Sequence, residues 1–89
     1  MPKAALVKIE EYMIELERVN NFLLNSITNN ESNPDLAELM NKSELYTITL
    51  IKLHQSITES EDFYYGKESE IKDTLALIHR FCLFFNKVW

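Results

Sequence analysis

Residues 71–89 read IKDTLALIHRFCLFFNKVW and contain the chain's only tryptophan, its only cysteine and three of its five phenylalanines. At the spacing of an α-helix, one apolar stripe of this segment consists of Ile71, Leu75, Ile78, Cys82, Phe85 and Trp89. A second row widens the stripe on one side and consists of Leu77, Phe81, Phe84 and Val88. The apolar surface therefore covers roughly half of the helix, more than a surface helix usually needs. We expect the other helices to pack against this one, with some apolar surface left over.

The composition predicts a folded helical domain. Of the 89 residues, 46% are hydrophobic and 26% are charged, as in ordinary globular proteins. Because this length supports one hydrophobic core, we expect a single domain over residues 1–89. One glycine and two prolines are too few for the tight turns of a multistranded sheet, which favours a few long helices.

Two earlier segments show the same helical periodicity. Between about residues 3 and 28, the apolar row consists of Ile9, Tyr12, Met13, Leu16, Val19, Leu23 and Ile27. Between residues 43 and 58, the main row consists of Tyr46, Leu50, Leu53 and Ile57. Leu45, Ile48 and Ile51 lie on other sides of this second segment. A helix that is apolar on several sides is either central in its bundle or covered by another chain. Because a chain of this size has too few helices to surround a central one, the pattern favours self-association or a bound partner.

Residues 29–34 separate these two segments. Asn33 predicts a helix N-cap and Pro34 the first helical residue, so the middle helix is expected to begin near Pro34. Asn41 and Glu44 have the spacing of a capping box. The middle helix is therefore either continuous or broken near Asn41.

The sequence thus predicts an all-α fold, a small antiparallel bundle of three long helices, or of four if the middle one breaks near Asn41. The expected bounds are about 3–28, 34–59 and 68–88, with the residues from 59 to 68 connecting the last two helices. The predicted core consists of Ile9, Leu16, Val19, Leu23, Leu50, Leu53, Ile57, Leu75, Ile78, Phe81 and Phe85.

The charge balance limits the kinds of partner. Nine Lys and Arg residues stand against fourteen Asp and Glu residues, for a formal net charge of −5. A domain of this sign repels phosphate, so we expect no direct binding of nucleic acid. An acidic surface suits a basic protein partner, or serves solubility alone.

The sequence also predicts a cytoplasmic location. The N-terminal residues become charged and amphipathic before an apolar region develops, unlike a secretory signal. The apolar run near the C-terminus is interrupted by His79 and Arg80 and is shorter than the ~20 residues that cross a bilayer. The lone Cys82 suits a reducing compartment. No membrane partner is expected.

No set of residues predicts catalysis, so we expect a protein that is not an enzyme and has no cofactor. His54 and His79 have no recognisable catalytic motif around them. The single glycine excludes glycine-rich phosphate-binding loops. His79 and Cys82 have a spacing that can hold two metal ligands, but zinc usually takes three or four from the protein and no second pair exists. An enzyme with a metal at this pair is the remote alternative.

The stretch Glu59–Tyr65 holds the clearest functional signal. Its predicted partner-binding residues are Glu59, Glu61, Asp62, Phe63, Tyr64 and Tyr65. Carboxylates steer a basic partner and bond its lysines or arginines, whereas tyrosines supply rigid contact area with a polar tip. In the alternative interpretation, Phe63 and one tyrosine fill a gap in the bundle and the acidic residues only face water.

Residues 57–68, ITESEDFYYGKE, and residues 71–75, IKDTL, resemble the segment around the paired tyrosines in the immunity proteins of DNase-type bacteriocins. Members of that family are small, acidic four-helix proteins that inhibit a basic nuclease through acidic residues on one helix and a tyrosine pair on the next. The resemblance covers less than a quarter of the chain. Gly66 stands where the family has proline, and the family's serine–glycine loop is missing. The resemblance implies a partner-binding role for Tyr64 and Tyr65.

The leading functional hypothesis is a small acidic module that binds and neutralises a basic protein, as an immunity protein, antitoxin or phage-encoded inhibitor does. A secretion-type chaperone or adaptor is an alternative that would use the spare apolar surface of the C-terminal helix. A third is a structural homodimer. The residues predicted for self-association are Ile48, Ile51, Leu77, Phe84 and Trp89.

Overall fold

The structure, a computed structural model, describes residues 2–29 and 33–88. Within these ranges it contains four helices and no strand: α1 (Lys3–Thr28), α2 (Asp35–Glu59), α3 (Glu61–Gly66) and α4 (Glu68–Val88). The predicted all-α bundle and the bounds of its three long helices are confirmed. α2 continues without a break past Asn41. The fourth helix is instead the short α3, where the sequence pattern predicts only a connection.

The beginning of α2 follows the predicted capping chemistry. The side-chain oxygen of Asn33 accepts a hydrogen bond from the backbone N–H of Asp35 at 2.9 Å. The backbone N–H of Leu36 bonds the Asn33 carbonyl at 3.1 Å. These bonds satisfy N–H groups that have no partner inside the helix, and Asp35 in the first turn suits the positive end of the helix dipole.

The long helices run up, down and up again. Asn20 of α1 donates to Thr47 of α2 at 3.1 Å. Glu10, which is earlier in α1, contacts His54, which is later in α2, at 3.0 Å. α1 and α2 are therefore antiparallel. Contacts between α1 and α4 advance along both helices together, from Tyr12–His79 to Arg18–Asn86, so these two helices are parallel.

The core lies where the three long helices meet. Its buried hydrophobic residues are Ile9, Leu16, Val19, Leu23, Leu36, Leu50, Ile57, Ile71, Ile78, Phe81, Cys82 and Phe85. Leu53 and Leu75 were predicted as core residues but are only half-buried, at its edge. Two serines, Ser26 and Ser43, are also buried.

The helix interfaces differ in side-chain size. α1 and α2 approach each other most closely, and small residues such as Ser43 and Thr47 face α1 there. α4 docks instead through bulky side chains. Tyr46 of α2 meets Phe81 edge to face, with ring centroids 5.2 Å apart. The other helices do contact α4, but the closest backbone packing is between α1 and α2.

Candidate interaction surface

The short helix α3 begins after an interruption of the helical conformation at Ser60. Ser60 is extended, with φ −154° and ψ 116°, and this conformation ends α2. The carbonyl of Ser60 then accepts the N–H of Phe63 at 3.2 Å, which opens the first turn of α3. Glu61 and Asp62 lie in that turn, where negative side chains are favoured by the partial positive charge of a helix N-terminus.

Three carboxylates on either side of Ser60 face solvent. Glu59, Glu61 and Asp62 are all exposed. Among the described residues, none of the three forms an ion pair or a side-chain hydrogen bond. Within the described part of the chain, no neighbouring cation therefore neutralises their charges.

The aromatic residues of α3 divide between core and surface. Phe63 and Tyr64 are half-buried and pack against the core. The Lys67 ammonium lies 5.9 Å from the centroid of the Phe63 ring. Tyr65 is 50% exposed, and its ring meets that of Tyr64 edge to face at 5.3 Å. α3 thus uses one side of its aromatic cluster for folding and leaves the ring of Tyr65 exposed.

Tyr64 stays protonated at neutral pH. Desolvation raises the pKa of its phenol, and the negative charge and hydrogen bonding of Glu68 raise it further. Its hydroxyl can therefore donate a hydrogen bond.

A groove between α1 and α4 adjoins α3 and was not foreseen from the sequence. It has a volume of about 790 Å³, and we refer to it as the α1–α4 groove. Its lining residues are Ala4, Ala5, Lys8, Tyr12, Tyr64, Glu68, Ser69, Ile71, Lys72, Leu75, Ala76 and His79. The short side chains of Ala4, Ala5 and Ala76 leave this space open. The one sequence signal for it was the presence of alanines on both helices at positions beside the apolar stripes.

The charged residues of the α1–α4 groove come from both helices. Lys8 of α1 and Lys72 of α4 are both exposed. Lys8 has a long contact of 3.8 Å with Glu11, and both side chains are 60% exposed, so this pair contributes little. Lys72 has no ion-pair partner among the described residues. Glu68 lies with Tyr64 at the end of the groove nearest α3.

Four of the residues predicted for self-association are described, and they lie on the surface but not in one groove. Ile48, Ile51, Leu77 and Phe84 have exposed fractions of 49%, 47%, 45% and 54%. Ile51 lines a groove of about 630 Å³ between α1 and α2, together with Ile14. Phe84 lines a separate groove between α2 and α4. Trp89 lies outside the described residues.

His79 and Cys82, the pair considered as a remote alternative for a metal site, have other surroundings in the structure. The Tyr12 hydroxyl contacts Nδ1 of His79 at 2.9 Å. Cys82 is 2% exposed, and its burial, followed by the nearby Glu15, raises the pKa of its thiol to about 11. The described part of the chain contains no cluster of three or more His, Cys, Asp or Glu residues that could hold a metal ion.

The structure and the comparisons with known proteins add two further findings. Within residues 2–29 and 33–88, no helix has the length and apolar character needed to cross a membrane. No protein-family model matches the chain, and no curated protein or solved structure is significantly similar to it.

Proposed function

We propose that the chain is a small acidic protein-binding module that neutralises a basic protein through Glu59–Tyr65. The single observation that carries the proposal is a group of exposed carboxylates, those of Glu59, Glu61 and Asp62, on the same short segment as the exposed ring of Tyr65. Among the described residues these carboxylates have no ion-pair or side-chain hydrogen-bond partner. The proposed activity is binding alone, without a catalytic step or a cofactor.

The physical basis is electrostatic steering followed by aromatic contact. Unpaired carboxylates attract a basic surface over about one Debye length, roughly 8 Å at physiological ionic strength. Tyr65 then supplies a large ring that loses little conformational entropy on binding. Tyr64, held between the core and Tyr65, fixes the position of that ring. The resemblance to bacteriocin immunity proteins, which implies acidic residues on one helix and a tyrosine pair on the next, adds support in part. Glu59 ends α2 and the tyrosine pair lies on α3, but Glu61 and Asp62 share α3 with the tyrosines.

The test is a pull-down from the native host with the tagged chain, washed at low and at high salt. Parallel experiments use the variant Glu61→Lys/Asp62→Lys. The proposal predicts a basic protein that is retained at low salt, released at high salt and absent with the variant.

A matched control separates local from overall charge. Glu38→Lys/Glu44→Lys changes the net charge equally, at exposed sites in the N-terminal half of α2, far from α3. The control should retain the same protein, once circular dichroism shows that both variants are helical. If both variants lose it equally, net charge and not α3 mediates the contact, and the proposal is wrong.

Self-association is the second candidate, favoured by the exposure of apolar residues on α2 and α4. Ile48 and Phe84 each keep about half of their surface in water. A homodimer or an apolar chaperone contact across such residues would resist salt, since it does not depend on charge. Sedimentation equilibrium distinguishes the cases. Self-association predicts a dimer that persists at high salt and dissociates in the Phe84→Glu variant. It also predicts that the pull-down captures no other protein.

A further inference from the structure

The α1–α4 groove carries positive charge on a molecule that is otherwise acidic. Of its charged lining residues, Lys8 and Lys72 are cationic and Glu68 alone is anionic. The two lysines come from different helices, so they border the groove on opposite sides. By contrast, the groove between α1 and α2 is lined by two carboxylates, Glu10 and Glu17, and by no lysine or arginine.

The floor of the α1–α4 groove is apolar. Ile71 and Leu75 of α4 form part of it, with alanines on both helices. From Glu68 to His79 the groove follows α4 for eleven residue steps, or roughly 16 Å at the rise of an α-helix. Its volume of about 790 Å³ falls within the range of small-molecule sites.

We propose that the α1–α4 groove binds a small anionic amphiphile, with the anionic head between Lys8 and Lys72 and the hydrocarbon body over Ile71 and Leu75. Burial of the hydrocarbon supplies the attraction, and the two ammonium groups select the charge of the head. Glu68 at the α3 end and the polar pair of Tyr12 and His79 at the other end limit the apolar length. This inference does not rest on the proposed function, because it is argued from Lys8, Lys72, Ile71 and Leu75, although Tyr64 of α3 also lines the groove.

Two probes with the same hydrocarbon length test the charge selection. Dodecanoate and dodecyltrimethylammonium are each titrated, below their micellar concentrations, into the isotopically labelled full chain and followed by amide chemical shifts. Nonspecific attraction to a protein with a net charge of −5 favours the cationic probe. The proposal predicts the opposite: dodecanoate should give saturable shifts at Ala5, Lys8 and Ala76 with one molecule per chain.

Variants then separate the head from the hydrocarbon body. Lys8→Gln/Lys72→Gln should bind dodecanoate about ten-fold more weakly and lose the preference over the cationic probe. Lys52→Gln/Arg80→Gln removes two cations that do not line the groove and should leave the affinity unchanged. Ala76→Leu should fill the groove and abolish binding, whereas Ala37→Leu, at an exposed alanine of α2, should not.

Three results would overturn the proposal. One is the absence of saturable shifts with dodecanoate. Another is equal weakening by the two double-charge variants. The third is a change of the Ala5 and Ala76 shifts with protein concentration alone, because a second copy of the chain would then cover the groove.

Discussion

The Tyr12 hydroxyl lies 2.9 Å from Nδ1 of His79, and the two rings meet edge to face with centroids 5.8 Å apart. This contact joins α1 to α4 at one end of the α1–α4 groove. Because α4 docks mainly through aromatic contacts, each hydrogen bond between α1 and α4 helps to set the width of the groove.

Replacement of Tyr12 by phenylalanine tests the bond itself. Tyr12→Phe keeps the ring and removes the hydroxyl, so it should lower the free energy of unfolding by about 0.5–1 kcal/mol in urea denaturation. Tyr46→Phe is the control, because the Tyr46 ring packs on Phe81 and its hydroxyl has no hydrogen bond among the described residues. Equal effects of the two changes would show that the Tyr12 hydroxyl contributes nothing.

The docking of α4 should depend on Phe81 far more than on its neighbour Phe84. Phe81 is 9% exposed and packs on Tyr46, whereas Phe84 is 54% exposed. Phe81→Ala should therefore cost about 3–5 kcal/mol of unfolding free energy, enough to threaten folding. Phe84→Ala should cost less than about 1 kcal/mol. Urea titrations followed by circular dichroism measure both, and a reversed order would refute the assignment of Phe81 to the core.

Periodicity predicted the long helices and most of the core because both are local properties of the chain. The apolar rows through Leu16 and Leu50 repeat over several turns, and most of their members are buried or half-buried, whereas Ile27 near the end of α1 is 40% exposed. The same reasoning placed Leu45 and Ile48 off those rows, and both are exposed.

Features that depend on packing between helices could not be predicted from periodicity. α3 has six residues, too few for a period to appear, and Phe63 and Tyr64 pack it against the core. The α1–α4 groove follows from the distance between two helices, which Ala76 and the aromatic contacts determine. Ser43 is polar and was not among the predicted core residues, yet the close approach of α1 and α2 buries it completely.

Ser43 offers a test of that close approach. Its hydroxyl oxygen is buried without a hydrogen-bond partner among the described residues. Ser43→Ala removes the unsatisfied group and favours the helix, so it should raise the free energy of unfolding by about 0.5–1 kcal/mol. Ser56→Ala, at a half-buried position of α2, reports the gain from helix propensity alone. A loss of stability in Ser43→Ala would mean that the hydroxyl is satisfied in solution.

Cys82 should make stability depend on pH in the alkaline range. Burial raises the pKa of the thiol from its ordinary value of 9.0 to about 11 in the folded chain, with a further contribution from Glu15. The unfolded state therefore loses this proton first, and stability should fall as the pH rises from about 9 to about 11. Urea titrations across this range should show a smaller fall for Cys82→Ala. Identical pH profiles would contradict the raised pKa.

Gly66 is the last residue of α3, and its conformation does not require glycine. A Cβ atom built there meets nothing within 4 Å, and its φ is not in the left-handed region. Gly66→Ala should therefore stabilise the protein by about 0.4–1 kcal/mol, mainly by restricting the unfolded chain. Thermal and urea unfolding measure the change. Because the side chains of Tyr64 and Tyr65 are untouched, partner binding through α3 should persist in this variant. A destabilised variant would show instead that the turn into α4 needs the freedom of glycine.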